Sequence, residues 1–125
     1  MSDDHKARVE DLNHRITLAA KSLITLYTML PLPIQLSIGS QPEIAATDLI
    51  HAAEILRDMP GITETTAREL RSATWHWVAA VYIVAWFQAI GEDGPGLCAT
   101  YILIECGSSM KAVREDLTRA APGAP

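Results

Sequence analysis

The sequence predicts an all-α protein, a bundle of about four antiparallel helices in which the third helix is long and apolar. Apolar residues recur at alternating steps of three and four along the first 30 residues, which is the spacing of one helix face. Proline and glycine at 31–33, 60–61 and 91–96 divide the chain into segments of helix length. A chain of 125 residues, 49% hydrophobic and 20% charged, has the size and composition of a single folded domain.

The first predicted helix covers about residues 4–30. Its apolar positions form one seam along more than three turns, while charged residues such as Arg8 and Asp11 lie off that seam. Asp3 and Asp4 suit the positive end of the helix dipole, and the prolines at 31 and 33 end the helix. The seam consists of Val9, Leu12, Ile16, Ala19, Leu23, Leu26 and Leu30.

Capping signals mark the starts of the second and third predicted helices. Ser40 and Glu43 form a capping box, so we expect Ser40 to be the N-cap of a helix that ends at the Pro-Gly pair of 60–61. The third helix opens at Thr63 or at Thr66, which has a glutamate three residues later in capping-box position. It runs to residue 90, where the glycine at 91 stops it.

Residues 91–96 read Gly-Glu-Asp-Gly-Pro-Gly and predict the loop of an antiparallel helical hairpin. The fourth helix then covers about 97–120 and completes the single domain 1–120, with 121–125 as a disordered tail. Counting outwards from this loop places Glu105 level with Tyr82. If Glu105 is buried, a hydrogen bond from the Tyr82 hydroxyl would satisfy its carboxylate; if it is exposed, it needs no partner. The β-branched clusters at 81–84 and 102–104 leave a strand pair around the loop as the competing interpretation.

Charge and cysteine content restrict the environment and the partners of the chain. The formal net charge is −5 and the sequence pI is near 5.2, which disfavours nucleic acid as a partner. Cys98 and Cys106 lie in one apolar stretch at a separation that a helix cannot bridge, so we expect reduced thiols and a cytoplasmic location. The polar N-terminus predicts no export signal, and the apolar run of 75–90 is too short to span a membrane, so no membrane partner is expected.

The aromatic residues of the third helix exceed what one thin monomeric bundle can bury. Trp75, Tyr82 and Trp86 share one side of the helix, whereas Trp77 lies elsewhere. A helix that is apolar all round is either the central helix or packed against another chain. We therefore expect a homo-oligomer, most simply a two-fold dimer. The candidate interface residues are Trp75, Trp77, Trp86 and Phe87.

The leading functional hypothesis is a non-enzymatic interaction protein of regulatory, adaptor or chaperone type, with no cofactor and no metal. It would bind another protein, of an identity that the sequence does not reveal, through an apolar helical face. The hypothesis rests on the surplus of apolar helical surface and on the lack of a catalytic constellation. Asp48 and His51 have the acid-x-x-His spacing of a metal-binding pair, but the sequence offers no second pair to complete a bundle metal site.

The stretch from Ala53 to Arg71 resembles a helix-turn-helix unit and supplies the first alternative function. Gly61 would make the turn, and the threonine-rich start of the following helix would enter the major groove. Candidate DNA contacts are Thr63, Arg68 and Arg71, because guanidinium groups bind phosphates and guanine edges. Acidic residues at 54, 58, 64 and 69 oppose this interpretation, since they would face an anionic ligand.

The second alternative is an enzyme or a small-molecule binder with a pocket between helices three and four. Its candidate lining residues are Tyr82, Trp86, Tyr101 and Glu105. Such a site requires a concave cavity in which these polar groups converge, whereas a solid core between the two helices would count against it.

Overall fold

The computed structural model describes residues 3–36 and 42–119. It contains α1 (Asp3–Thr28), α2 (Pro42–Ile55), α3 (Glu64–Ile90) and α4 (Asp93–Arg119), with a short 3₁₀ helix, Leu56–Asp58, after α2. No strand occurs in these residues, so the predicted all-α class is confirmed and the competing strand pair is wrong. The expected N-cap Ser40 and the expected tail 121–125 lie outside the described residues.

The apolar seam of α1 packs into the core as its spacing predicts. Six of the seven predicted seam residues are buried; Ala19 is half-buried, and the neighbouring Ala20 is buried in the core instead. The helix begins with two acidic residues, Asp3 and Asp4, which lie in the first turn where the helix dipole favours negative charge.

Two buried hydrogen bonds join α1 to α3. The indole Nε1 of Trp77 donates to the Ile16 carbonyl over 2.9 Å. The hydroxyl oxygens of Tyr27 and Thr74 lie 2.8 Å apart, and Thr74 also donates to the Leu70 carbonyl, which leaves Tyr27 as the donor to Thr74. Each bond satisfies a polar group in an otherwise apolar interior, so the two bonds fix the register of α1 on α3.

Helix α3 is the central helix of the bundle, in contact with α1, α2 and α4. Among the described helices it alone is long and apolar enough to cross a membrane by length and composition, and 44% of its most apolar 18-residue window is buried inside the protein. The core helix of a soluble protein meets the same two criteria. Packing on three sides therefore accounts for much of the apolar character of α3.

The antiparallel pair of α3 and α4 is held together by small residues. The Cys106 thiol donates to the Ala73 carbonyl over 3.3 Å, and the Thr66 hydroxyl donates to a carboxylate oxygen of Asp116 over 3.2 Å. Gly96 lies against the ring of Phe87 so closely that an added Cβ would stand 2.9 Å from the ring. These contacts hold α3 and α4 close together at three levels of the pair.

The turn between α3 and α4 is much shorter than the sequence predicts. Only residues 91 and 92 separate the helices, because α4 begins at Asp93 and includes Gly94, Pro95 and Gly96 in its first turn. The first N–H groups of a helix have no intrahelical partner, so proline costs little there. Burial of Pro95 and Gly96 further stabilises this early start.

The short turn also changes the register that the sequence predicts. The bond from Cys106 to the Ala73 carbonyl places Glu105 beside the level of residues 73–74, and not beside Tyr82. Nine residues of helix separate Ala73 from Tyr82, a distance of about 13 Å. Glu105 is exposed and Tyr82 is 58% exposed, so the predicted buried pair does not form.

The predicted capping signals around α3 are present. The Thr63 hydroxyl accepts a hydrogen bond from the Thr66 backbone N–H over 3.1 Å, which selects Thr63 over Thr66 as the N-cap. Gly91 ends the helix in a left-handed conformation with a φ of 73°, and Gly61, which precedes the helix, has a φ of 87°. Both glycines occupy backbone conformations that residues with a Cβ rarely adopt.

Candidate protein interface

Three aromatic side chains of α3 point away from the core. Trp75 is 48% exposed, Tyr82 is 58% exposed and Trp86 is 57% exposed. They occur at positions i, i+7 and i+11 of the helix and therefore lie on one side of it, as the sequence predicts. We name these three residues, with the half-buried Ala79 between them, the α3 stripe.

Two of the four predicted interface residues belong to the core instead. Trp77 and Phe87 are each 1% exposed. Trp77 is held by its bond to α1, and the ring of Phe87 lies edge to face with the ring of His5 at a centroid distance of 4.5 Å. The prediction was wrong for these two residues because α1 and α4 cover the side of α3 on which they lie, and helical spacing alone does not show which side is covered.

The spacing of the α3 stripe is the same in both directions along the helix. Steps of four, three and four residues lead from Trp75 through Ala79 and Tyr82 to Trp86. Reversing the helix exchanges Trp75 with Trp86 and Ala79 with Tyr82. In an antiparallel pairing of two copies about a two-fold axis, each position of the stripe then faces the position with which it is exchanged.

A second exposed apolar stripe lies on α4 and was not anticipated from the sequence. Leu97 is 63% exposed, Tyr101 is 71% exposed and Ile104 is 56% exposed, at positions i, i+4 and i+7 of one helix side. We name these three residues the α4 stripe. Their spacing is visible in the sequence, but nearly every residue of 97–104 is apolar, so periodicity does not show which side is exposed.

The four residues predicted to line a pocket between α3 and α4 do not converge. Tyr82, Trp86, Tyr101 and Glu105 are all exposed on the outer sides of their helices. The space between the two helices is occupied by buried small side chains, among them Ala80 and Ala99, each 0% exposed. The geometry provides no concave site at the predicted position.

A cavity of about 660 Å³ lies elsewhere, between the first half of α1 and the start of α4. Its charged lining residues are Asp4, Arg8, Asp11 and Asp93, and Arg8 forms an ion pair with Asp93 across it. These groups are exposed and neutralise one another in part, which is typical of a solvated surface cleft.

The residues predicted to contact DNA lie at the start of α3. The Thr63 hydroxyl is occupied as the helix cap, Arg68 is exposed and Arg71 is half-buried. The exposed carboxylates of Asp58 and Glu64 flank them. Beyond its first turns α3 becomes the central helix of the core, so only its N-terminal end could reach a groove of DNA.

Metal-ligating and nucleophilic residues are scattered. Asp48 and His51 are exposed on α2, and the described residues contain no group of three or more histidine, cysteine or acidic side chains that could hold a metal ion. Cys98 is an exposed free thiol. Cys106 is a buried one, and burial raises the pKa of its thiol from 9.0 to about 12, which suppresses the nucleophilic thiolate.

Comparisons of the chain with protein-family models, with curated proteins and with solved structures give no match.

Proposed function

We propose that this chain is a small, non-enzymatic helical interaction protein that dimerises through the α3 stripe. The observation that carries the proposal is the exposure of Trp75, Tyr82 and Trp86, each about half accessible on one side of one helix. Tryptophan and tyrosine are enriched at the centres of protein interfaces, where burial of their rings contributes most of the binding energy.

The size of the exposed surface supports this proposal. Aromatic side chains bury about 150–250 Å² each, so three that are half exposed present on the order of 200–400 Å². A patch of this size is comparable to the largest apolar patch of a typical monomeric protein, and such patches are often functional. A standard interface buries about 800 Å² per partner, so the stripe would form the central part of one and the flanking residues of α3, such as the 42%-exposed Ile90, would extend it.

The spacing of the stripe supports a second copy of the chain as the occupant. In an antiparallel crossing of two α3 helices, Trp75 of one copy packs against Trp86 of the other, and Tyr82 packs against Ala79. A tyrosine ring then meets a small residue near the two-fold axis, and two tryptophan rings pack on each other at both ends of the crossing. The described residues place no charge within the stripe.

The dimer leaves the α4 stripe for a different protein, which would lie on Leu97, Tyr101 and Ile104. An amphipathic helix of that partner fits the spacing of these anchors, which recur once per helical turn. The two free thiols agree with a reducing, cytoplasmic setting for the complex.

The mass in solution tests the dimer directly. We expect light scattering to give twice the chain mass of 13.6 kDa at high concentration, and a monomer on dilution. Tyr82→Glu places two carboxylates near the two-fold axis, so we expect it to weaken the dimer at least 100-fold while the monomer stays folded, since the side chain is exposed. Leu18→Glu, at a 49%-exposed position of α1, is the matched control and should leave the dimer unchanged.

Three results would contradict the proposal. The wild-type chain would remain monomeric at every concentration, or Leu18→Glu would dissociate the dimer as effectively as Tyr82→Glu. A gain in mass with duplex DNA at low salt, lost in Arg68→Ala, would instead favour the helix-turn-helix alternative.

A further inference from the structure

A groove of about 410 Å³ lies where the 3₁₀ helix, the turn at Gly61 and the first two turns of α3 meet. Three arginines line it, Arg57 from the 3₁₀ helix and Arg68 and Arg71 from α3. The sequence prediction recognised the last two but not Arg57, because only the fold of the Gly61 turn brings Arg57 beside α3. We name this feature the arginine groove.

The three arginines are unlike most of the other arginines of the chain. Arg8, Arg15 and Arg119 each form an ion pair with an aspartate, whereas none of the three in the groove pairs with a carboxylate of the described residues. Gathering three unpaired guanidinium groups is unfavourable, and it occurs here in a chain with a formal net charge of −5. An anion in the groove would relieve this repulsion.

The position of the groove strengthens its positive potential. It adjoins the N-terminal end of α3, where the helix dipole contributes partial positive charge. Arg71 is half-buried, and its positive charge acts on the buried hydroxyl of Tyr27. Burial raises the pKa of Tyr27, and the charge of Arg71 lowers it in part. Glu64 also lines the groove, so the charged side chains of its lining sum to +2, and the exposed Asp58 flanks it.

One wall of the groove is apolar. Leu56, Met59 and Ile62 contribute it, and Leu56 is fully buried while the other two are half-buried. The rest of the exposed lining is mostly polar, and the volume lies in the range of small-molecule sites. The ligand that fits carries an anionic group for the arginines and an organic part for this wall.

We propose that the arginine groove binds the phosphate group of a small organic phosphate. The planar guanidinium fork matches two phosphate oxygens at once, and three arginines line this one groove. The site adjoins the α3 stripe, because Arg71 precedes Trp75 by one helical turn on the same side of α3. The proposal does not depend on the dimer, since all three arginines belong to one chain.

Calorimetric titration with phenyl phosphate, inorganic phosphate and phenol tests this site. Phenyl phosphate should bind at least 10-fold more tightly than inorganic phosphate, and phenol should not bind. Arg57→Ala and Arg71→Gln should each weaken phenyl phosphate about 10-fold or more, with unchanged helical circular dichroism. Arg114→Ala, which removes an exposed arginine of α4, is the matched control and should bind as the wild type does.

Two further arms separate the competing explanations. The monomeric Tyr82→Glu variant should bind phenyl phosphate as the wild type does, so failure of the dimer and failure of the groove are distinguishable. Equal affinities for Arg57→Ala, Arg114→Ala and the wild type would overturn the proposal. Binding of duplex DNA through these arginines, without binding of phenyl phosphate, would also overturn it. So would dissociation of the dimer by Arg68→Ala together with unchanged phenyl phosphate binding in Arg57→Ala and Arg71→Gln.

Discussion

The contact between Gly96 and Phe87 predicts a specific loss of stability when a single methyl group is added. A Cβ at Gly96 would stand 2.9 Å from Cζ, 3.0 Å from Cε2 and 3.2 Å from Cε1 of the Phe87 ring. That ring is 1% exposed and packs on its other side against His5, so it has little room to move. Gly96→Ala therefore requires α4 to move away from α3 at its first turn.

The expected magnitude follows from two opposing effects. Overpacking a core contact costs about 1–3 kcal/mol, while alanine is favoured over glycine in a helix by about 1 kcal/mol. Gly107→Ala is the matched control, because it lies in the same helix with nothing within 4 Å of the added Cβ. We expect Gly107→Ala to raise the free energy of unfolding slightly, and Gly96→Ala to lie about 1–3 kcal/mol below it.

Urea unfolding followed by circular dichroism measures the difference. Both variants should unfold with the wild-type dependence on urea concentration, so that the midpoints report stability. In a thermal scan the same difference corresponds to about 4 °C per kcal/mol for a domain of this size. If Gly96→Ala were as stable as Gly107→Ala, the close packing of α3 on α4 at this level would be refuted.

Two further predictions concern ionisable groups. A thiol reagent at pH 8 should label only the exposed Cys98 in the folded protein, and it should label Cys106 as well after unfolding. Equal labelling rates for the two cysteines in the folded protein would contradict the buried position of Cys106. Burial raises the pKa of Tyr27 from 10.0 to about 12 and that of Cys106 from 9.0 to about 12. As the pH rises, these two groups lose their protons in the unfolded chain before they do so in the folded protein. The free energy of unfolding should therefore be constant below pH 9 and decrease towards pH 12, and the decrease should be smaller in Tyr27→Phe. A free energy of unfolding that stayed constant up to pH 12 would refute the burial of these groups.

Local signals in the sequence predict the helices well because caps and breakers act over a few residues. As the N-cap of α3, Thr63 requires only the backbone N–H of the residue three positions later. As its C-cap, Gly91 requires only the freedom of glycine to adopt a positive φ. The side of α3 that carries Trp75, Tyr82 and Trp86 likewise follows from a period of 3.6 residues per turn. These features require no knowledge of distant parts of the chain.

The start of α4 shows where local signals become insufficient. Residues 93–96 resemble a loop in sequence, and they form helix because Pro95 and Gly96 are buried against α3. That difference shortens the turn by four residues, which by itself moves Glu105 from the level of Tyr82 to that of Val78. The packing of α4 on α3 brings it to the level of residues 73–74. The register of a hairpin depends on every residue of its turn, so an error in the turn shifts every predicted pair along the two helices.

The sequence by itself determined the all-α class, the limits of α3 and which residues share a helix face. Only the tertiary structure decided that Trp77 is core while Trp75 is surface, and that Arg57 joins Arg68 and Arg71 around one groove. Periodicity orders side chains around an axis, but which direction is covered depends on where α1, α2 and α4 pack. That arrangement arises from contacts between residues far apart in the chain, which a local pattern does not encode.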